Sequence, residues 1–133
     1  MSESRCIPIN NEVDIINVRQ QTRQMAKDAG LPIIDQARIS LAVSSVAHLI
    51  RLGSGFRGQI VLNRIVEHNR SGVQVIWMIG PDSEIETEIL ELKNSKMTMM
   101  VDEMDIQVSA EVGTCITAMM WAPQIKWSKN DLP

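Results

Sequence analysis

The stretch Asp35-Gln36-Ala37-Arg38-Ile39-Ser40-Leu41-Ala42-Val43-Ser44-Ser45-Val46-Ala47-His48-Leu49-Ile50 decides the fold. Ala37, Ile39, Leu41, Ala42, Val43, Val46, Ala47, Leu49 and Ile50 cover most of the circumference of a helix running from Ile34 or Asp35 to Leu52. A helix apolar nearly all round is expected to be buried, here against a sheet. On its N-terminal side lies a second helical pattern, Glu12 to Ala29, with an apolar stripe at Ile15, Val18, Thr22, Met25, Ala26 and Ala29. Arg19, Arg23 and Lys27 are left for its other faces. Asn10-Asn11 supplies the cap that accepts a free backbone N–H, and Gly30 followed by Pro32 supplies the stop.

Strand patterns surround this helix pair. Ser4 to Ile9 precedes it, and Gln59 to Glu67 and Val73 to Ile79 follow, joined by the polar turn His68-Asn69-Arg70-Ser71-Gly72. Gly80-Pro81-Asp82 closes the third strand. Ser83 with Glu86 has the spacing of a capping box, predicting a helix to Leu92. Met97, Met100, Val101 and Met104 suggest another short helix after the Asn94-Ser95 break. Asp105 to Ala110 and Thr114 to Trp121 complete the strands, meeting across Glu111-Val112-Gly113, and residues 122–133 read as an irregular tail. Paired helices between hairpin-linked strands predict an α/β (α+β) two-layer sandwich, a mixed or antiparallel sheet with helices on one face. The whole chain, 1–133, reads as one domain.

Composition narrows the function. A net charge of −3 argues against general phosphate-backbone binding, which needs clustered Lys and Arg, so no nucleic acid partner is expected. Glu3 and Arg5 interrupt any signal-peptide core, and no run approaches a membrane span, so a cytoplasmic protein with no membrane partner is expected. Cys6 and Cys115 lack CxxC spacing and sit in apolar runs, which predicts two reduced core thiols.

No residue pattern on its own names a chemistry. His48 lies in the most apolar helix and reads as a core or edge histidine making one hydrogen bond, and His68 reads as solvated. Ser44-Ser45 could offer a nucleophile, yet no general base stands at a useful spacing, and small helix-packing residues explain the pair. Asp102, Glu103 and Asp105 could hold Mg²⁺ or form a solvated acidic helix end. Met97, Met99, Met100 and Met104 could serve an adaptable interface or fill a core, with Met99 the surplus one. The loop Arg51-Leu52-Gly53-Ser54-Gly55-Phe56-Arg57-Gly58 imitates a phosphate cradle but does not open a helix with a GK[ST] ending.

A set of stretches in order carries more weight. Asp14, Arg19-Gln20 and Met25-Ala26-Lys27 are followed by Asp35-Gln36-Ala37-Arg38-Ile39 and Ala42-Val43-Ser44. Gly58-Gln59-Ile60, Gly80-Pro81, Asp102-Glu103-Met104-Asp105-Ile106 and Gly113-Thr114 complete the series. Over Arg5 to Trp121 this order resembles the anti-sigma-factor serine kinases and stressosome switch kinases of the GHKL (Bergerat-fold) ATPase superfamily. The resemblance implies a histidine-kinase-like ATPase fold with a shortened lid.

The family's N-box has a glutamate that activates the attacking group and, four residues on, an asparagine that ligates Mg²⁺. On the resemblance those positions are Ser45 and Leu49. The adenine-binding aspartate falls at Met78, and Asp82 replaces a glycine of the same box. Glu84 to Leu92, a shortened acidic helix, stands where the glycine-rich lid belongs, and Thr114 alone matches a family threonine near adenine.

These departures imply a pseudokinase: not an enzyme, with no catalytic residue, no cofactor and no metal. Its partner would be a protein such as a STAS-domain antagonist, a regulatory phosphatase or a sigma factor in partner switching. Arg19, Arg23, the acidic helix and Phe56 are the expected contacts, and a homodimer stays open, as in relatives. The alternative is a regulatory domain that binds a nucleotide or another small ligand through Thr114, Met78 and the Gly53–Gly58 loop. An α/β enzyme of unrelated chemistry is disfavoured because no catalytic pair can be assembled.

Overall fold

The computed structural model describes residues 3–81 and 83–123. Five strands and three helices alternate as β1 (Ser4–Ile9), α1 (Glu12–Asp28), α2 (Ile33–Leu49), β2 (Gly58–Glu67), β3 (Arg70–Ile79), α3 (Glu86–Asn94), β4 (Glu103–Ser109) and β5 (Gly113–Trp121). The strands form one sheet in the order β1-β2-β3-β5-β4, and every neighbouring pair is antiparallel. The helices cover one face of it, giving the two-layer α+β sandwich. The last ten residues of the tail, 124–133, and Asp82 lie outside the described residues.

Strand alternation sorts the sheet into two faces. Ile60 and Leu62 of β2, Val75, Trp77 and Ile79 of β3, and Ile116 and Ala118 of β5 point into the helix layer and are buried. The Trp77 indole is fully buried, and its Nε1 donates to the Val43 carbonyl of α2 at 3.1 Å, which fixes α2 above β3. Gln59, Asn63, Gln74 and Met78 lie on the opposite face, where Asn63 Nδ2 donates to Gln74 Oε1 at 2.9 Å. On that same face Gln59 Nε2 meets Met78 Sδ at 3.5 Å.

Helix α1 starts as its sequence predicts. The Asn11 side-chain oxygen accepts from the Asp14 backbone N–H at 3.1 Å, and Asp14 Oδ2 accepts from the Asn10 N–H at 2.8 Å. Gly30, at φ +88°, ends it by letting Leu31 N–H reach back to the Ala26 carbonyl. The α2 end is made the same way without a glycine. Arg51 takes φ +57°, and Leu52 N–H bonds the Ala47 carbonyl, so α2 stops at Leu49 and not at Leu52.

Four expectations are corrected here. Helix α2 is not buried all round: Ile33, Ile34, Ala37 and Leu41 form an exposed flank, because α1 and the sheet together enclose only part of its surface. The β2–β3 connection is two residues, His68 and Asn69, both at positive φ, so pairing continues to Glu67↔Arg70. The capping box at Ser83 is not made; Ile85 is the residue before α3, and no side chain caps that helix. The methionine-rich helix reduces to one 3-10 turn, Lys96–Met99, and Met104 belongs to β4, which begins at Glu103.

Candidate functional site

The likeness to switch kinases draws attention to α2 and to the paired ends of β3 and β5. Ser45 and Leu49 lie one turn apart on α2, both half-buried, and Leu49 packs against the core. Ser44, one residue away, is buried and donates to the Leu41 carbonyl at 3.2 Å, a helix-packing role. Thr114 opens β5 with 4% exposure and pairs with Ile79, the last residue of β3.

Met78 does not join them. It sits on the face of the sheet turned away from α2, so the helix-side position near Thr114 belongs to Ile79, which is 2% exposed. This corrects the placement of Met78 in the aspartate's position. The signal was available in the sequence: neighbouring residues of a strand point to opposite faces, and Trp77 and Ile79 share the parity of the buried Val75. The indole of Trp77 fills the space between β3 and α2 beside this site.

The Arg51–Gly58 loop is a closed knot. The N–H groups of Ser54, Gly55 and Phe56 all turn to the Arg51 carbonyl, and Gly53 N–H bonds the Phe56 carbonyl. These donors are spent inside the loop, so it is no cradle for a phosphate. The Arg51 guanidinium packs over Gly55, lies 5.7 Å from the Phe56 ring centre and stands 3.8 Å from Glu88 of α3. Phe56 is half-buried and packs against the core. Beyond α3 lies an apolar groove of about 690 Å³ between its outer flank and the β4–β5 turn, floored by Ile85, Ile89 and Val108.

The other candidates resolve into local structure. Asp102 Oδ2 accepts from the Trp121 N–H at 2.7 Å and Glu103 Oε2 from the Trp121 indole N–H at 2.8 Å. Asp105 Oδ2 accepts from Gln107 at 3.1 Å. The Asp102 and Glu103 carboxylates tie the start of β4 to the end of β5, and the Asp105 bond stays within β4. His48 is exposed, with Nε2 at 3.0 Å from the Glu12 carboxylate, tying the end of α2 to the start of α1. His68 stands in the tight turn, exposed, with Nε2 at 3.7 Å from Glu67. Met99 is exposed. Both cysteines are free thiols, but they are not core residues: Cys6 is exposed and Cys115 half-buried, both on the face away from the helices.

Charge is concentrated elsewhere. Arg19, Arg23 and Lys27 recur at four-residue steps along the exposed side of α1. They border two adjoining grooves between α1 and α2 that also hold Gln20, Gln36 and Ile33 and contain no carboxylate. Arg5, Arg38, Arg51 and Arg70 are each engaged by a carboxylate or a ring. Sequence reading singled out Arg19 and Arg23; the helical step shows that Lys27 completes the row.

These residues differ from the family's nucleotide- and metal-binding set. Leu49 offers a hydrocarbon where the family's metal ligand stands, and among the described residues no group of three His, Cys, Asp or Glu side chains could hold a metal ion. Ser45 and Thr114 each carry a neutral hydroxyl.

No protein-family model matches the chain. It is, however, 30% identical over 132 residues to the serine/threonine-protein kinase RsbT of Bacillus subtilis, an alignment that takes in 91% of this chain and 98% of the relative. That likeness overturns the expectation that the chain is not an enzyme. A kinase matched over nearly its full length points to an enzyme. Among the described residues no helix is long and apolar enough to cross a membrane.

Proposed function

The chain belongs to the family of the serine/threonine-protein kinase RsbT, and from that premise we propose that it is a switch kinase of a bacterial partner-switching stress pathway. It binds a protein partner and transfers a phosphoryl group from ATP to a serine or threonine of that partner. The observation that carries this reading is the match over 98% of the length of a named serine/threonine-protein kinase. The order of elements agrees with it, since the switch-kinase pattern requires paired helices ahead of a hairpin.

The partner is a STAS-domain antagonist, with a regulatory phosphatase or a sigma factor as the next candidates. Its docking surface is the row Arg19, Arg23 and Lys27. Three cations without a partner among the described residues, beside grooves free of carboxylates, suit an acidic surface better than any other part of this chain. The kinase works in the cytoplasm, where that pathway operates.

The chemistry asks for a hydroxyl of the partner to approach the ATP γ-phosphate in line. On the resemblance, the groups of this chain that would face it are the half-buried Ser45 hydroxyl on α2 and the buried Thr114 hydroxyl at the start of β5. Ser45 is a weak proton acceptor, so the chain's contribution is mainly to position and desolvate.

Docking is tested by titrating the purified chain with the STAS-domain proteins of its own genome in a calorimeter. One of them binds with a single site, and the double change Arg19→Glu, Arg23→Glu weakens that binding by about 10-fold to 100-fold, mostly in a salt-dependent manner. Equal affinity of the double variant would remove α1 from the docking surface.

A further inference from the structure

The two edges of the sheet are built differently. β1 closes one side with Pro8, which has no N–H to offer a further strand, and with the charged Arg5 held by Glu3. β4 closes the other side, and its charges stop early. Glu103 and Asp105 are followed by Ile106-Gln107-Val108-Ser109-Ala110, which has no charge and no proline. No described strand lies on the outer side of β4, and Val108, on its helix side, is 64% exposed. Beside it runs the apolar groove along α3, where Leu90 is also exposed. An unguarded edge next to an apolar groove suits an extended segment that adds to the sheet as a strand.

The edge itself specifies the segment. Successive side chains of an added strand fall on opposite sides of the sheet. On the helix side they meet Ile89, Leu90 and Val108, which calls for apolar groups. On the other side they meet Glu103 and Asp105, which calls for a cation; neither carboxylate has an ion-pair partner among the described residues. The chain contains this alternation in Ile125-Lys126-Trp127, with Lys129 two residues on. Its place in the chain fits as well. β4 starts where β5 ends, with Glu103 opposite Met119, two residues before Trp121. Rounding the start of β4 to its free side spans two strand spacings, about 10 Å, which about three extended residues cover. Ala122, Pro123 and Gln124 supply that length.

We infer that residues 125–129 of this same chain dock on β4 as a sixth strand parallel to it. Ile125 and Trp127 take the groove side, and Lys126 stands beside Glu103 and Asp105. The segment satisfies the open backbone groups of the edge, which a helix or a small molecule in the groove would leave unpaired. A partner that adds a strand to β4 must first displace it, so the segment guards this surface. The inference goes beyond phosphoryl transfer and stands or falls without it.

Hydrogen–deuterium exchange of the full chain, read at the amides of Ile106 to Ala110 that do not bond β5, tests it. In the wild type these amides are protected, and the double change Ile125→Ser, Trp127→Ser speeds their exchange by about 10-fold or more at every protein concentration. Unchanged exchange in β2 and β3 shows that the variant keeps its fold. Lys126→Glu, which sets a third carboxylate beside Glu103 and Asp105, speeds exchange by about 2-fold to 5-fold, and added salt removes that effect. Exchange at Ile106 to Ala110 indifferent to the double change would overturn the inference. So would wild-type protection that disappears on dilution, which would assign the added strand to a second copy of the chain.

Discussion

Helices α1 and α3 begin with cap signals of similar strength in the sequence, and only one of them uses its signal. At α1, Asn11 and Asp14 exchange hydrogen bonds with the backbone as the Asn10-Asn11 pair promises. At α3, Ser83 and Glu86 have capping-box spacing, yet the helix starts at Glu86 with Ile85 in the cap position and no side-chain bond. The difference is tertiary. Burial of Ile85, Ile89 and Leu92 fixes where α3 sits, and the apolar contacts outweigh a cap bond of about 1 kcal/mol. A local signal decides an element only where packing does not ask for something else.

Stability measurements can break or sharpen this comparison. The largest effect belongs to the residue through which packing decides the helix layer. Trp77→Ala removes the indole between β3 and α2 and its bond to the Val43 carbonyl, and denaturant unfolding should show a loss of about 3–5 kcal/mol. A loss below about 1 kcal/mol would mean that α2 is not seated on Trp77. The two caps give smaller and unequal effects. Asn11→Ala costs about 1 kcal/mol, whereas Ser83→Ala stays within about 0.5 kcal/mol of the wild type. Equal losses at the two positions would show that the α3 cap forms in solution and erase the contrast.

The same contrast explains what the sequence made legible. Residues 4–79 are legible nearly to their boundaries, since the stripe of α1, the glycine at position 30 and the apolar alternation of β2 and β3 agree with their packing. The extent of the hairpin is not, because His68 and Asn69 take left-handed backbone angles that no glycine advertises. The end of α2 is hidden for the same reason at Arg51. Between Pro81 and Val101 short apolar spacings at Met97, Met100, Val101 and Met104 imitate a helix, but four residues of 3-10 turn are all that forms before Met104 enters the sheet.

The candidate site was half legible. Ser45 and Leu49 share one side of α2, and Thr114 lies on the helix side of the sheet opposite Ile79. Met78 does not, because a motif alignment counts residues while the strand assigns faces, and one step moves a side chain to the other side of the sheet. The exposed flank of α2 was hidden because an all-apolar pattern cannot say which residues are left over when neighbours are few. The altered residues at Ser45 and Leu49 suggest lost activity, whereas the near full-length likeness to a kinase points to an enzyme.

The most direct test of the proposed switch kinase follows the phosphoryl group itself. The purified chain is incubated with Mg²⁺ and ATP labelled at the γ-phosphate, together with the STAS-domain protein that binds it in the calorimeter. The account predicts label on a serine or threonine of that protein, dependent on the chain and lost when the acceptor residue is replaced by alanine. Ser45→Glu, which supplies a carboxylate base, should raise the rate by about 10-fold or more. No transfer above background to a partner that demonstrably binds, with an active family kinase labelling its own substrate in parallel, would contradict it.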